Sequence, residues 1–314
     1  MAIDREQLNL TAQAALRRAA LALGWHVVRA DAYSPIADLA SLPADAFARA
    51  AAMPGLELDL DAQLALLSGE LGPPLTAWQP PLDPPGDELG FHLNNPFYGP
   101  LDANVLYALL RARRPARVLE LGSGYSTLVI ARAALDNARD GAPLAHTVVD
   151  PELSPLALRP GGAAGVAAPR MLRTGAERLP VAEFDALAGG DVLFVDTSHA
   201  VRIGGEVVTL VLERLGALAP GVLVHFHDIF RPFEYPRLLL ERYNKHWQEH
   251  YLLQAFLAYN PEFEVLLANH ALARLRFAQV RELVPALTPA MAPSGFWFRR
   301  LGPVPAFAPG PERA

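Results

Sequence analysis

From residue 101 onward, short runs of consecutive apolar residues alternate with longer stretches in which apolar positions recur every three or four residues. Short apolar runs suit strands buried on both faces of a parallel sheet, and the wider spacing suits helices that bury one side. The pattern predicts strands at 117–121, 146–150, 171–173, 191–196 and 222–227, with helices at 102–113, 126–137 and 205–218 between them. A long helix over 236–259 and two late strands at 263–267 and 295–299 complete the series. Regular alternation of this kind is the mark of an α/β fold built on crossover connections.

The first ninety residues read differently. Leu8, Ala12, Ala15, Leu16 and Ala19 recur at helical spacing, so a helix is expected over 5–24, stopped by Gly24. Residues 31–90 are irregular, with helical pieces expected near 43–52 and 60–68. The proline-rich stretch 73–86 disfavours both helix and central strand and reads as a linker or wrapping arm. The expected organisation is an N-terminal, mostly helical arm at 1–90, a catalytic core at 91–300 and a Pro-rich tail at 301–314.

Composition narrows the setting. Of 314 residues, 52% are hydrophobic and 19% charged, enough to bury a sizeable core. The net charge of −6, with no basic cluster, gives no general attraction to nucleic acid or anionic lipid. With no cysteine, disulfides and thiolate metal sites are excluded. The first residues carry acids where a secretion signal would carry bases, and no apolar run reaches membrane-spanning length. A soluble cytoplasmic protein is therefore expected, with no nucleic-acid or membrane partner. Association with a second copy stays open.

Two segments carry candidate chemistry. Glu120-Leu-Gly-Ser-Gly-Tyr-Ser126 closes one expected strand and opens one helix. Gly122 and Gly124 allow a tight turn and close approach of a ligand, and helix N-termini favour negative groups. Thr127 stands where a dinucleotide fingerprint would want a third glycine. The next strand ends on Asp150, where a carboxylate can hold ribose hydroxyls. Together with Ser126 and Tyr98, these residues (Glu120, Gly122, Gly124 and Asp150) are the candidate cofactor-binding set.

The second segment is a polar cluster at the ends of the fourth and fifth strands. Asp196 and His199 follow one strand, and His227 and Asp228 end the next, so all four are expected to converge beside the glycine loop. Carboxylates with imidazole suit a divalent metal at Asp196, His227 and Asp228, and His199 with Asp196 is the candidate catalytic pair, His199 as general base. His225, two positions from His227, reads as a hydrogen-bonded core histidine. Phe230, Phe233, Tyr235, Trp247 and Tyr251 either line an apolar acceptor pocket or anchor the following helix. Glu249 and His250 either face that pocket or, as single polar residues on a helix more often are, stand solvated.

These residues carry a family resemblance. Over roughly residues 91–300 the chain resembles the class I S-adenosylmethionine (SAM) dependent methyltransferases, with Glu120-Leu-Gly-Ser-Gly as their first motif and Asp150 as the ribose-binding acid. The resemblance implies a Rossmann-like seven-stranded sheet in which only the last strand is antiparallel, with SAM as cofactor and a small molecule as substrate. Val195-Asp-Thr-Ser-His199 looks like the Asp-Gly-Ser-His motif of metal-dependent O-methyltransferases acting on macrolide sugars. There the Asp binds magnesium, and the next strand ends Glu-Asp. His227-Asp228 stands in that place here, which shifts the expectation from magnesium toward manganese, iron or zinc, or no metal. A closer resemblance is to bacterial methyltransferase-like proteins that share segments like Asn94–Tyr98, His225–Pro236 and Trp247–Phe256.

The function expected on this basis is SAM-dependent methyl transfer to an O- or N-nucleophile, with metal assistance open. Two rivals remain: an iron-dependent oxygenase or hydrolase on the same fold, and a non-catalytic partner-binding protein.

Overall fold

The computed structural model describes residues 5–86, 89–162, 165 and 167–303. The chain falls into two compact units, residues 1–46 and 47–314. The first holds helix α1 (Arg5–Ala22), followed by Gly24 in the left-handed region (φ +79°), in line with the helix expected over 5–24.

The second unit is built on one seven-stranded sheet. Its strands are β1 (Arg117–Leu121), β2 (Ala145–Val149), β3 (Arg170–Leu172), β4 (Val192–Val195), β5 (Leu223–Phe226), β6 (Phe263–Ala268) and β7 (Phe296–Arg300), in the order β3-β2-β1-β4-β5-β7-β6. β1 to β5 pair in parallel, and β7 runs antiparallel to both β5 and β6. The expected α/β class and the single antiparallel strand are both present.

The sheet is apolar on both faces because helices cover both. One face packs Val118, Phe194, Leu223 and Trp297 against α4 (Pro100–Arg113) and α5 (Tyr125–Arg139). The other packs Leu119, Leu193, Val195, Val224 and Phe226 against α7 (Glu206–Thr209), the irregular turns that continue it, and α9 (Glu249–Leu257). The period-2 alternation of side chains across a strand assigns each residue its face.

Three local expectations differ from the structure. Residues 43–52 form turns rather than a helical piece. The proline-rich stretch contributes a helix after all, α3 (Gly72–Ala77), in which Pro73 and Pro74 occupy the first turn. The first turn needs no amide hydrogen from them, so prolines are tolerated there. α3 and the preceding α2 (Leu60–Ser68) give Leu67, Leu71 and Leu75 to the same core as α4. The helix expected over 236–259 is broken into α8 (Arg237–Glu241) and α9, with Asn244 between them in the left-handed region (φ +50°). The break brings the start of α9 onto the 196–199 loop, where the amides of Gln248 and Glu249 donate to the His199 carbonyl. α6 (Val181–Asp185), α10 (Asn269–Leu275) and α11 (Phe277–Leu283) complete the unit. Most of the expected tail, residues 304–314, lies outside the described residues. No helix among the described residues is long and apolar enough to cross a membrane.

Candidate active site

β1 and β4 are neighbours in the sheet but not in the chain, and the crevice above their carboxyl ends is where open α/β sheets place ligands. A cleft of about 900 Å³ opens there. Gly122, Gly124, Ser126 and Asp150 line it, and so do Asp196, His227 and Asp228.

The two glycines of the loop differ in what they do. Gly122 has φ +96°, and a Cβ there would meet the Asp196 carbonyl oxygen at 1.9 Å. The backbones of β1 and β4 approach so closely that only glycine fits. Gly124 has extended φ and nothing within 4 Å of its Cβ position, so it leaves room in the cleft rather than meeting a steric demand. Its amide donates to Thr127 Oγ1 (3.1 Å), which in turn donates to Glu120.

Glu120, expected among the cofactor-binding residues, is wholly buried beneath this loop and does not line the cleft. Its carboxylate accepts from Ser126 Oγ (2.6 Å) and Thr127 Oγ1 (3.0 Å) and sits 2.9 Å from His146 Nε2. It holds the first turn of α5 in place. Thr127 serves that buttress, which is why no third glycine stands at 127. Asp150 lies at the cleft wall, where its carboxylate accepts from Ser123 Oγ and the Glu152 amide.

The four polar residues expected to converge do so. His199 Nε2 lies 3.3 Å from Asp196 Oδ1 and 3.4 Å from Asp228 Oδ2. His227 Nδ1 lies 3.8 Å from Asp196 Oδ2 and 3.6 Å from Asp228 Oδ1. One ligand atom each from Asp196, His227 and Asp228 falls within 4.8 Å of the others. Two donors bound at about 2.1 Å from one ion sit roughly 3–4 Å apart, so the three would have to close in a little to share an ion. The set is one imidazole and two carboxylates, not the two histidines and one carboxylate that an oxygenase triad uses. His199 and Asp228 both occupy the left-handed region (φ +58° and +59°), a backbone cost often found where function fixes a side chain.

Two acids stand behind this cluster, and one of them, Asp102, was not singled out from sequence. Glu249, expected to be solvated on its helix, is buried and meets His199 Nδ1 at 2.8 Å. Burial works against a charged His199, but Asp196, Glu249 and Asp228 together outweigh it and raise its pKa to about 10. Burial pushes the Glu249 carboxyl up. Asp102, on α4, lies 3.6 Å from His227 Nε2 and accepts from the Ser294 and Gly295 amides and Asn269 Nδ2. Ser294 Oγ also donates to Asp228 Oδ1 (3.0 Å). No spacing signal ties Asp102 or Glu249 to residues more than forty positions away. Only the fold joins them.

The remaining candidates divide. Tyr98, a cofactor-set candidate, lines the cleft, but its ring stacks on His227 at 5.1 Å and its buried hydroxyl has no hydrogen-bond partner among the described residues. Asn95 orders this loop by bonding the Phe97 and Tyr98 amides and the His92 and Tyr98 carbonyls. His225 is a core residue between Phe194 and Trp297, yet neither ring nitrogen has the hydrogen bond expected for it, and burial holds it neutral. Tyr235, Trp247 and Tyr251 pack around His250 and His199, and Phe233 packs on His270, so these four anchor segments rather than line the cleft. Phe230 does reach a smaller cavity beside the cluster.

A family model described as a methyltransferase domain matches residues 119–229, the span from β1 through Asp228 that holds the loop and the polar cluster. Residues 119–229 are thus similar to a methyltransferase domain. Among solved structures, the chain is similar to the CMeT domain of the citrinin polyketide synthase, at 12% identity and a TM-score of 0.37. That match covers 78% of this chain and 65% of the other, so the chain spans a little under two thirds of the compared length. A search of curated proteins gave no match.

Proposed function

We propose that this methyltransferase domain moves the methyl group of SAM to an oxygen or nitrogen of a small molecule, with a divalent cation at Asp196, His227 and Asp228. The observation that carries the reading is one cleft with the glycine loop and Asp150 at one part of its wall and those three side chains at another. A ligand in it meets both.

In this reading the loop at Gly122–Gly124 and the first turn of α5 receive the amino-acid end of SAM, and Asp150 its ribose hydroxyls. SAM, when bound, supplies an electrophilic methyl group. The residues around it then contribute mostly position, because displacement needs in-line alignment. A cation held by Asp196, His227 and Asp228 would lower the pKa of an acceptor hydroxyl. Asp196 and Asp228 are also the carboxylates that help keep His199 protonated. A cation there would draw on the same two carboxylates, and His199 would hold its proton less firmly and could take the acceptor proton at Nε2. Glu249, on the other ring nitrogen, holds the imidazole in place throughout.

Calorimetry with S-adenosylhomocysteine tests the first half. Binding is expected, and Asp150→Ala should weaken it by roughly tenfold to a hundredfold, the worth of hydrogen bonds to a charged group. Absence of binding would sink the reading. Metal analysis tests the second half. Manganese or zinc at one equivalent supports it, whereas stoichiometric iron without affinity for S-adenosylhomocysteine would favour an oxygenase or hydrolase instead.

A further inference from the structure

β6 is the outer strand of the sheet, with β7 on one side and no strand among the described residues on the other. α2 runs beside that free edge without closing on it. Between them lies a groove of about 960 Å³ that shares no lining residue with the large cleft. Two hydrogen bonds bridge it. The Ala268 amide donates to Gln63 Oε1 (2.9 Å), and the Tyr259 amide donates to the Gly55 carbonyl (2.8 Å). The stretch of β6 between these bridges, Phe263 to Leu267, is roughly 14 Å long at the rise of a strand.

The floor of the groove is a strand edge in need of partners. The Leu301 amide donates to the Glu262 carbonyl, which turns Glu262, and with it Glu264, toward β7. Alternation then turns the backbone groups of Phe263 and Val265 into the groove. The bulge between Val265 and Leu267 shifts the alternation by one, so Ala268 faces outward as well. The Phe263 amide goes to the Asn260 carbonyl and the Ala268 amide to Gln63. The Phe263 carbonyl and both groups of Val265 are left facing the groove. Gln63 Oε1 stands where the carbonyl of a further strand would. The same side-chain amide carries Nε2, which is buried with no hydrogen-bond partner among the described residues. A carbonyl arriving in the groove would satisfy it.

The walls define what fits. Asp59 at the N-cap of α2, then Ala62, Gln63 and Leu66, form one helix face along the groove, and Leu56, Leu257 and Leu266 add apolar surface. Of the lining arginines, Arg113 is tied to Glu70 and Arg299 to Glu264. Glu57 and Asp59 line the groove with no cationic partner among the described residues. A second copy's β6 has its own α2 beside the edge and the same acids, so two such edges do not meet.

We propose that this groove receives an extended segment of a partner protein, which adds to the sheet as a further strand beside β6 and places a basic residue at Glu57 and Asp59. In this mode of recognition main-chain hydrogen bonds supply affinity and alternate side chains supply specificity. The proposal stands apart from the methyltransferase reading, because the groove and the cleft have no residue in common.

The probe is a dye-labelled hexapeptide of alternating valine and threonine with lysine in first place, titrated with the full chain by fluorescence polarisation. Saturable binding is expected, and aspartate in place of the lysine should weaken it several-fold. Two further peptides carry N-methyl groups on alternate amides, one peptide for each edge. The one methylated on the edge that meets β6 should bind weaker by roughly tenfold or more, and the other should keep its affinity. Ala62→Trp, at an exposed position of α2 facing the groove, fills it and should abolish binding at an unchanged unfolding midpoint. If that variant fails to fold, the two methylated peptides still decide the matter on the wild-type chain. No saturable binding, binding that survives Ala62→Trp, or equal losses from methylation of either edge would each overturn the proposal. So would a dimer of the full chain in sedimentation that Ala62→Trp splits, which would give the groove to a second copy.

Discussion

Glu249 Oε2 lies 2.8 Å from His199 Nδ1, with both side chains buried and fifty residues apart in the chain. Glu249 sits on α9, and the same turn donates two backbone amides to the His199 carbonyl. The pair therefore fixes both the ring and the backbone of the residue that faces Asp196 and Asp228. Removing one partner of a buried, hydrogen-bonded charge pair typically costs about 3–5 kcal/mol. Glu249→Ala should lower stability by that order in urea unfolding. Glu249→Gln keeps a hydrogen-bonding group of the same size and should cost distinctly less. Equal, small effects of the two substitutions would mean that the contact carries no charge.

The loop glycines give a sharper contrast. Gly122→Ala places a methyl group against the Asp196 carbonyl oxygen and forces an L-residue to φ +96°. Backbone strain alone is worth about 1–3 kcal/mol, and the clash adds to it. The variant should be destabilised and should lose affinity for S-adenosylhomocysteine. Gly124→Ala meets nothing within 4 Å and should fold with near-native stability. Its expected effect is on binding alone, since Gly124 lines the cleft. Comparable unfolding midpoints for the two variants would contradict the backbone contact.

This contrast shows how far the sequence reads. The strands were legible because each is a short apolar run buried on both faces, and the loop was legible because glycines and acids sit at fixed offsets from them. Asp196, His199, His227 and Asp228 could be expected to meet because parallel strands end on one edge of the sheet. What spacing does not show is which way a side chain is turned. Glu120 looked like a cofactor ligand and is instead a buried support for Ser126 and Thr127. Glu249 looked solvated on a long helix, but that helix breaks at Asn244 and its second half docks on His199. Pro73 and Pro74 looked like helix breakers, but the first turn of α3 has no need of their amide hydrogens.

Asp102 makes a prediction about metal affinity. Its Oδ2 and Ser294 Oγ lie 3.6 Å and 3.4 Å from His227 Nε2, which favours a hydrogen on that nitrogen. The other nitrogen, Nδ1, faces Asp196 and Asp228, whose charges raise the pKa of the ring, so a cation bound there would displace the Nδ1 proton. Partners that orient a ligand histidine in this way are worth about 10–100-fold in affinity. Mn²⁺ titrated into the full chain and followed by electron paramagnetic resonance should bind Asp102→Asn weaker by that factor. Asp228→Asn should abolish the site. Unchanged Mn²⁺ affinity in both variants would exclude a metal at this cluster.

His270 supplies a pH dependence away from the site. It is buried at the start of α10, its Nδ1 lies 3.0 Å from the Pro293 carbonyl, and Phe230 and Phe233 pack edge-on to it. Burial lowers its pKa from 6.5 to about 4, with Arg274 and His250 acting in the same direction and Asp102 and the Pro293 carbonyl against. The unfolded chain therefore takes up a proton near pH 6.5 that the folded chain refuses until about pH 4. The contribution is fully present above pH 6.5 and is lost as pH falls toward 4, by about 3 kcal/mol in all. His270→Asn keeps a donor for the Pro293 carbonyl but has nothing to titrate. Urea unfolding from pH 7 down to 4.5 should show the wild type losing stability faster than the variant. Every other titrating group is common to both chains, so the difference between the two curves isolates His270. Parallel curves would show that this ring is not held neutral by its burial.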